Sequence, residues 1–195
     1  MPTYPLHLIA AEQIEGCGQV IVRPVWRQDQ HILATFFAQL SQTSRTQRFL
    51  SARKEISPSL LEMLVDVDYE SHFALLAVFS RDEQEQVVAE ARVTHADNPD
   101  EWEFALCVAE QWRQKGLGER MLRRVLRGAN VPATSIIYGE AYATNTPMIR
   151  LARSLGFSVE RRSTEVRFSL AASRRRASLM SLRPDAFADL RSGCA

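Results

Sequence analysis

The apolar positions of this chain change their spacing several times, and each change marks a predicted element. Residues 19–25 (QVIVRPV) are short, β-branched and closed by Pro24, the pattern of a first strand. In residues 29–40 the side chains of Ile32, Leu33, Phe36, Phe37 and Leu40 recur at intervals of three and four, which predicts a helix with one apolar face. A second helix starts at Ser57, a capping residue, with Pro58 in its first turn and Leu60, Leu61, Leu64 and Val65 as its stripe. Residues 43–54, between those helices, are polar, carry Arg45, Arg48 and Arg53, and read as a connector.

The period then shortens. FALLAVF (73–79) and VVAEARVT (87–94) flank the turn-prone RDEQEQ and predict an antiparallel hairpin, and EWEFALCV (101–108) follows an NPD turn as the next strand. From Gly116 the spacing is helical again, with Leu117, Met121, Leu122, Val125 and Leu126 on one face and Arg120, Arg123, Arg124 and Arg127 on another. Residues 135–141 are a further strand, Thr146 and Pro147 start a helix that Gly156 ends, and residues 165–170 supply a last strand. The order βααβββαβαβ, without internal repeats, predicts a mixed sheet with helices packed on it.

Composition narrows this picture without changing it. The 195 residues, 46% hydrophobic and 24% charged, suit one domain with its own core. We expect an N-terminal extension (1–18), a domain (19–170) and a C-terminal appendage (171–195). The net charge of +1 gives no field toward nucleic acid or an anionic membrane, and the basic excess sits in the appendage. Its run Arg174, Arg175, Arg176 lacks interleaved aromatics and reads as a solvated tail rather than a nucleic-acid contact. Cys17, Cys107 and Cys194 form neither a disulfide framework nor a CxxC set, which points to a reducing, cytoplasmic setting. The amino terminus lacks the basic start and apolar run of a leader, and no stretch of 18 apolar residues is present, so secretion and membrane spanning are disfavoured.

Candidate chemistry concentrates in RQKGLG (113–118), between a predicted strand and a predicted helix. Glycines there let the backbone turn and approach a ligand, and the helix start offers N–H groups and a positive dipole end to a diphosphate. His7, His31, His72 and His95 have no metal-ligand spacing, so no metal is expected. Cys107, in an apolar strand, reads as a small buried hydrophobe rather than a nucleophile.

These residues resemble the GNAT family of acyl-CoA-dependent N-acetyltransferases, whose motif is Gln or Arg, two residues, Gly, one residue, and Gly or Ala. Arg113, Gly116 and Gly118 match it, EWEFALCV stands where the family's fourth strand belongs, and YATNTPMIRLARSLGF where its Asn-led helix does. The likeness covers roughly residues 19–170. Within the family the chain is most similar to the catalytic domain of bacterial protein lysine acetyltransferases that modify acyl-CoA synthetases, through LSQTSRTQRFL (40–50), DYESHFALLAV (68–78), Glu103 and NTPMIRLARSLGF (145–157). Many of those proteins carry a large ligase-like domain in front, for which this chain is too short.

The resemblance implies an α/β (α+β) fold with a mostly antiparallel sheet, splayed between its fourth and fifth strands. It implies acetyl-CoA as cosubstrate, with the pantetheine on backbone amides near Leu106, Cys107 and Val108 and the diphosphate on Arg113, Gln114, Lys115, Gly116, Leu117, Gly118 and Glu119. Glu103 aligns with the glutamate that deprotonates the acceptor amine. Asn145 either bonds the pantetheine arm or only shapes the turn. Ala152 stands where many relatives have a tyrosine acid, which leaves Tyr138, Tyr142 or unaided departure of the thiolate. The implied reaction is direct acetyl transfer to a primary amine, foremost a protein lysine such as one of an acyl-CoA synthetase, with residues 43–54 near the acceptor. The alternatives are acetylation of a small amine and a non-catalytic acyl-CoA-sensing module. The oligomeric state is left open.

Overall fold

A computed structural model describes residues 4–51, 55–81 and 84–171. Eight strands, β1 (Ala10–Ile14), β2 (Gly18–Pro24), β3 (His72–Arg81), β4 (Gln84–His95), β5 (Glu101–Val108), β6 (Ile136–Tyr142), β7 (Ser158–Arg162) and β8 (Glu165–Leu170), form one sheet in the order β1-β2-β3-β4-β5-β6-β8-β7. β5 and β6 run parallel and every other neighbouring pair in this sheet is antiparallel. The five α-helices of the described residues are α1 (Gln30–Gln39), α2 (Gln42–Phe49), α3 (Pro58–Val65), α4 (Leu117–Gly128) and α5 (Thr146–Ser154).

Strand alternation explains why helices cover both faces. Along β3, Phe73, Leu75 and Ala77 join the core that includes α4 and α5, while Ala74, Leu76 and Val78 join the core beneath α1 and α3. With both faces buried, β3 reads as a nearly continuous apolar run rather than an alternating one. Burying a side chain such as Phe37 or Leu33 in that second core contributes about 1.5–3 kcal/mol.

Three elements depart from the sequence expectation. β1 lies within the expected extension; its alternation is weak because only Ile14 is fully buried, and Glu12 is ion-paired with Arg120 and Arg124 of α4. Residues 43–54 were expected as a connector, but α2 occupies Gln42–Phe49 without an apolar stripe, its start capped by the Ser41 hydroxyl accepting from Ser44 N. β7 is a largely exposed strand paired with β8 alone. The RDEQEQ turn falls partly, and Arg53, Lys54, Cys194 and the appendage from residue 172 wholly, outside the described residues.

One buried charge cluster fastens the helices to the sheet. Glu90 of β4 is fully buried, and its carboxylate accepts from Arg48 of α2 at 3.0 and 3.3 Å and from Arg92 Nε. Arg92 also donates to the Leu64 carbonyl of α3 (3.2 Å) and to His72 Nε2 of β3 (2.7 Å), whose Nδ1–H points to the Asp66 carbonyl (3.1 Å). Those partners assign His72 as the neutral Nδ1–H tautomer. Burial, helped by the Arg92 charge, pushes the His72 imidazole down to about 4. Burial alone would raise the Glu90 carboxyl, but Arg48 and Arg92 outweigh it and hold it near 2.

Two outcomes follow for stability. Glu90→Ala strands two guanidinium groups in the core and is expected to cost about 3–5 kcal/mol in urea unfolding. Because His72 is protonated more readily in the unfolded chain than in the fold, stability should fall as pH drops from about 6.5 to about 4, with Glu90 adding to the loss below about 4.5. Thermal unfolding of His72→Gln across that range should show the upper part of the decline flattened.

Candidate active site

β5 and β6 pair only from Glu101 with Ile136 to Glu103 with Tyr138, and then part. At the point of divergence Gly139 faces the Phe104 ring, where an added Cβ would stand 2.6 Å from a ring carbon; Phe157 and Phe168 complete the aromatic packing at centroid distances of 5.1 and 6.3 Å. The parting strands open a cavity of about 600 Å³, with α2 on one side and the loop before α4 and the start of α5 on the other.

Backbone conformation shapes the loop side. Gly116 takes φ +79° at the N-cap of α4 and no side chain caps that helix, so its first-turn N–H groups are left to a ligand or water. Gly118 lies against β5, where a Cβ would come 3.4 Å from Val108 and 3.5 Å from Leu106. Arg113, Gln114, Gly116, Gly118 and Glu119 line the cavity, and Glu119 also pairs with Arg123 at 2.7 Å. Two expected residues stand apart from it: the Leu117 side chain is fully buried in the core, and the Lys115 ammonium lies 2.7 Å from Cys17 Sγ.

On β5, Ala109 N bonds Val88 O, so by alternation the Cys107 amide also faces β4 and the N–H groups of Leu106 and Val108 face the cavity. Of the three amides expected for a pantetheine arm, the strand therefore turns two toward it. The Val108 carbonyl is taken by Arg113 Nε at 2.9 Å. Burial pushes the Cys107 thiol up to about 12, consistent with an inert packing role.

At the other end stand carboxylates. Glu103 reaches solvent at the cavity mouth, yet the walls crowd its carboxyl and, with the nearby Glu140 charge, raise it above the usual glutamate range. Arg48, Arg167 and the Tyr138 hydroxyl pull the other way and do not prevail. Arg167 holds Glu101 at 2.6 Å and Glu140 at 3.4 Å, and its guanidinium lies 3.8 Å from the Tyr138 ring centroid. Ala152 is fully buried in the core, so α5 offers no hydroxyl there. Asn145, rather than Thr146, caps α5: its Oδ1 accepts from Met148 N at 3.2 Å, and the residue also lines the cavity.

Sequence reasoning passed over Glu140, Glu110 and Ser44. Glu140 was detectable in the alternation of IIYGEAY, which puts Tyr138, Glu140 and Tyr142 on one face, and Ser44 in the Ser-x-x-Ser spacing that starts α2. Glu110, in the 3₁₀ turn after β5, had no signal. Among the described residues no group of three or more His, Cys, Asp or Glu is placed to hold a metal ion, and no helix is long and apolar enough to cross a membrane.

A family model described as Acetyltransferase (GNAT) domain matches residues 19–158. A Pseudomonas aeruginosa protein named as an acetyltransferase is 29% identical over 150 residues, 77% of this chain and 81% of that one. Among solved structures, the GNAT domain of S. lividans PAT is similar with a TM-score of 0.76 at 21% identity, covering 87% of this chain and 99% of that one. A Salmonella typhimurium protein solved with its cofactor acetyl-CoA is similar with a TM-score of 0.63 at 17% identity, covering 78% and 94%.

The crowding of Glu103 is directly measurable. A carbon-detected NMR titration should place its carboxyl above the ordinary glutamate value, and Glu140→Gln, by deleting the like charge, should bring it down. A midpoint unmoved by Glu140→Gln would show that the two carboxylates do not interact.

Proposed function

Because the chain belongs to the GNAT acetyltransferase family, and is thus an acetyl-CoA-dependent acetyltransferase, we propose that it acetylates a primary amine, foremost a protein lysine, by direct attack in a ternary complex. The observation that carries this reading is the position of Glu103: a crowded carboxylate at the open mouth of the cleft, on the strand whose free amides line the same cleft. The segments that resemble lysine acetyltransferases of acyl-CoA synthetases form α2, β3 and α5, which supports an acyl-CoA synthetase as the first acceptor to test.

The site suits the cosubstrate chemically. Uncapped N–H groups at the start of α4 and the cationic Arg113 face the part of the cavity that would take a diphosphate, and the amides of Leu106 and Val108 would bond an amide-bearing arm. Acetyl-CoA supplies the electrophile, an acetyl thioester. A lysine amine has an ordinary pKa of about 10.4 and arrives as ammonium, so attack requires a base. Glu103 takes that proton, directly or through a water, and its raised carboxyl narrows the gap to the amine. Cleft-facing N–H groups of β5 donate to the oxygen on which negative charge develops. The thiolate leaves without an assigned side-chain acid, a thiol pKa near about 8.5 making that departure accessible, and the second proton that the nitrogen sheds in becoming an amide passes to the thiolate or to solvent. Glu103 and Glu140 together give the mouth the sign that suits a cationic acceptor.

The test compares Glu103→Gln with the parent chain, following release of the CoA thiol in the presence of an acyl-CoA synthetase and locating acetyl-lysine by mass spectrometry. Turnover should fall about a hundredfold or more while the acetyl-CoA dissociation constant from calorimetry stays within about twofold. Near-normal turnover would remove Glu103 from the chemistry.

A further inference from the structure

At the closed end of the cleft one guanidinium joins three strands. β5 and β6 pair for three rungs, the last of them Glu103 with Tyr138, and β8 lies beyond β6 with Arg167 opposite Glu140. Alternation puts Glu101 and Glu103 of β5, Tyr138 and Glu140 of β6 and Arg167 of β8 on one face of the sheet. From there Arg167 reaches across β6: it donates to Glu101 at 2.6 Å and to Glu140 at 3.4 Å, and lies 3.8 Å from the Tyr138 ring centroid. Glu160 of β7, also opposite Arg167, is taken by Arg162 at 3.2 Å. Of these four carboxylates, Glu103 alone forms no ion pair among the described residues. Arg48 of α2, the other cation near it, is committed to buried Glu90, as is Arg92 of β4.

We propose that Arg167 is a positioning residue for the transfer: by taking up Glu101 and Glu140 and backing Tyr138, it leaves Glu103 as the unpaired carboxylate at the mouth, free to receive the acceptor's proton. The inference rests on the reading of Glu103 as the base. Glu101 and Glu140 flank Glu103, one along its own strand and one on its neighbour. Were their charges unanswered, three like charges would gather at one end of the cleft, and Glu103 would hold a proton when the amine arrives. Were Arg167 bonded to Glu103 instead, the carboxylate would be a weaker base. The task suits an arginine, whose planar fork offers donors in two directions while its face stacks on a ring; a lysine ammonium cannot do both.

The groups around Glu103 set the sign of the effect. Glu101 lies on its own strand, Tyr138 and Glu140 on β6, Arg167 on β8, Arg48 on α2, and the mutually paired Glu90 and Arg92 on the same face of β4. Burial and the Glu140 charge raise the Glu103 carboxyl, while Arg48 and Arg167 pull it down. Removing Arg167 deletes a lowering charge and unmasks two raising ones, so Glu103 should then ionise at higher pH.

Two measurements on the whole chain read Glu103: the midpoint of its carboxyl by carbon-detected NMR, and the acid limb of kcat/KM for CoA release with an acyl-CoA synthetase as acceptor. Arg167→Gln should raise both by about one pH unit, so that activity falls about tenfold at the acid end and progressively less toward alkaline pH. Arg167→Lys, which keeps the charge but not the fork, should place both between the parent and Arg167→Gln. Adding Glu140→Gln to Arg167→Gln should bring them back down, and by more than Glu140→Gln does in the parent, because only a freed carboxylate acts at full strength. A midpoint that Arg167→Gln leaves in place, or a loss of activity that is uniform across pH, would overturn the proposal and make Arg167 a structural clamp. Parent-like turnover in Glu103→Gln would instead overturn the reading of Glu103 as the base, and the proposal with it.

Discussion

A carboxylate sealed from water stays ionised only if its charge is answered on the spot, and Glu90 is answered by two guanidinium groups from different elements. Much of the molecule depends on that arrangement. Arg48 brings α2 down onto β4, Arg92 ties in the last turn of α3, and His72 is held neutral between Arg92 and the Asp66 carbonyl. An apolar cluster of the same volume would pack well but would not dictate where a polar, eight-residue helix lies. Directional bonds do, and they hold α2 as one wall of the cleft.

Along β5 the cleft changes character. At the Val108 end are Arg113, free amides and the positive start of α4; at the Glu103 end are the carboxylates of Glu103 and Glu140. Five residue steps of strand separate the two ends, about 17 Å. On the proposed function, an anionic diphosphate and a cationic amine would be drawn to opposite ends of one groove, joined by a strand edge that offers backbone hydrogen bonds. Specificity for charge would then be divided between the ends, with the middle left to an extended linker and a thioester.

How legible this was in the sequence depended on whether the signal was local. The helical stripes of α1, α3 and α4, the hairpin of β3 and β4 and the glycine loop are written in spacing of a few residues, and they emerged where expected. β1 and β7 were missed because edge strands bury little, so their sequences carry few apolar residues to mark an alternation. α2 was missed because it has no apolar stripe and is held by polar bonds, from Arg45 to the carbonyls that end α1 and from Glu110 and Glu90, each more than forty residues away along the chain. Glu103 was singled out through a family likeness, but the burial that raises its carboxyl, and the Glu140 charge of β6 that adds to it, arise from a pairing that no window of sequence contains. The orientation of the Cys107 amide is likewise a matter of register with β4 rather than of residue type.

The three residue pairs that join β5 to β6 have a consequence beyond the width of the cleft. They are the backbone seam of the sheet between the strands up to β5 and the unit formed by β6, β8 and β7, with the Phe104, Phe157 and Phe168 rings as packing at that seam. It is the shortest ladder of the sheet, so parting the strands there gives up the fewest backbone pairs. The cleft of a two-substrate enzyme is therefore cut where the sheet has the least backbone pairing to interrupt, and the ladders on either side of it stay unbroken.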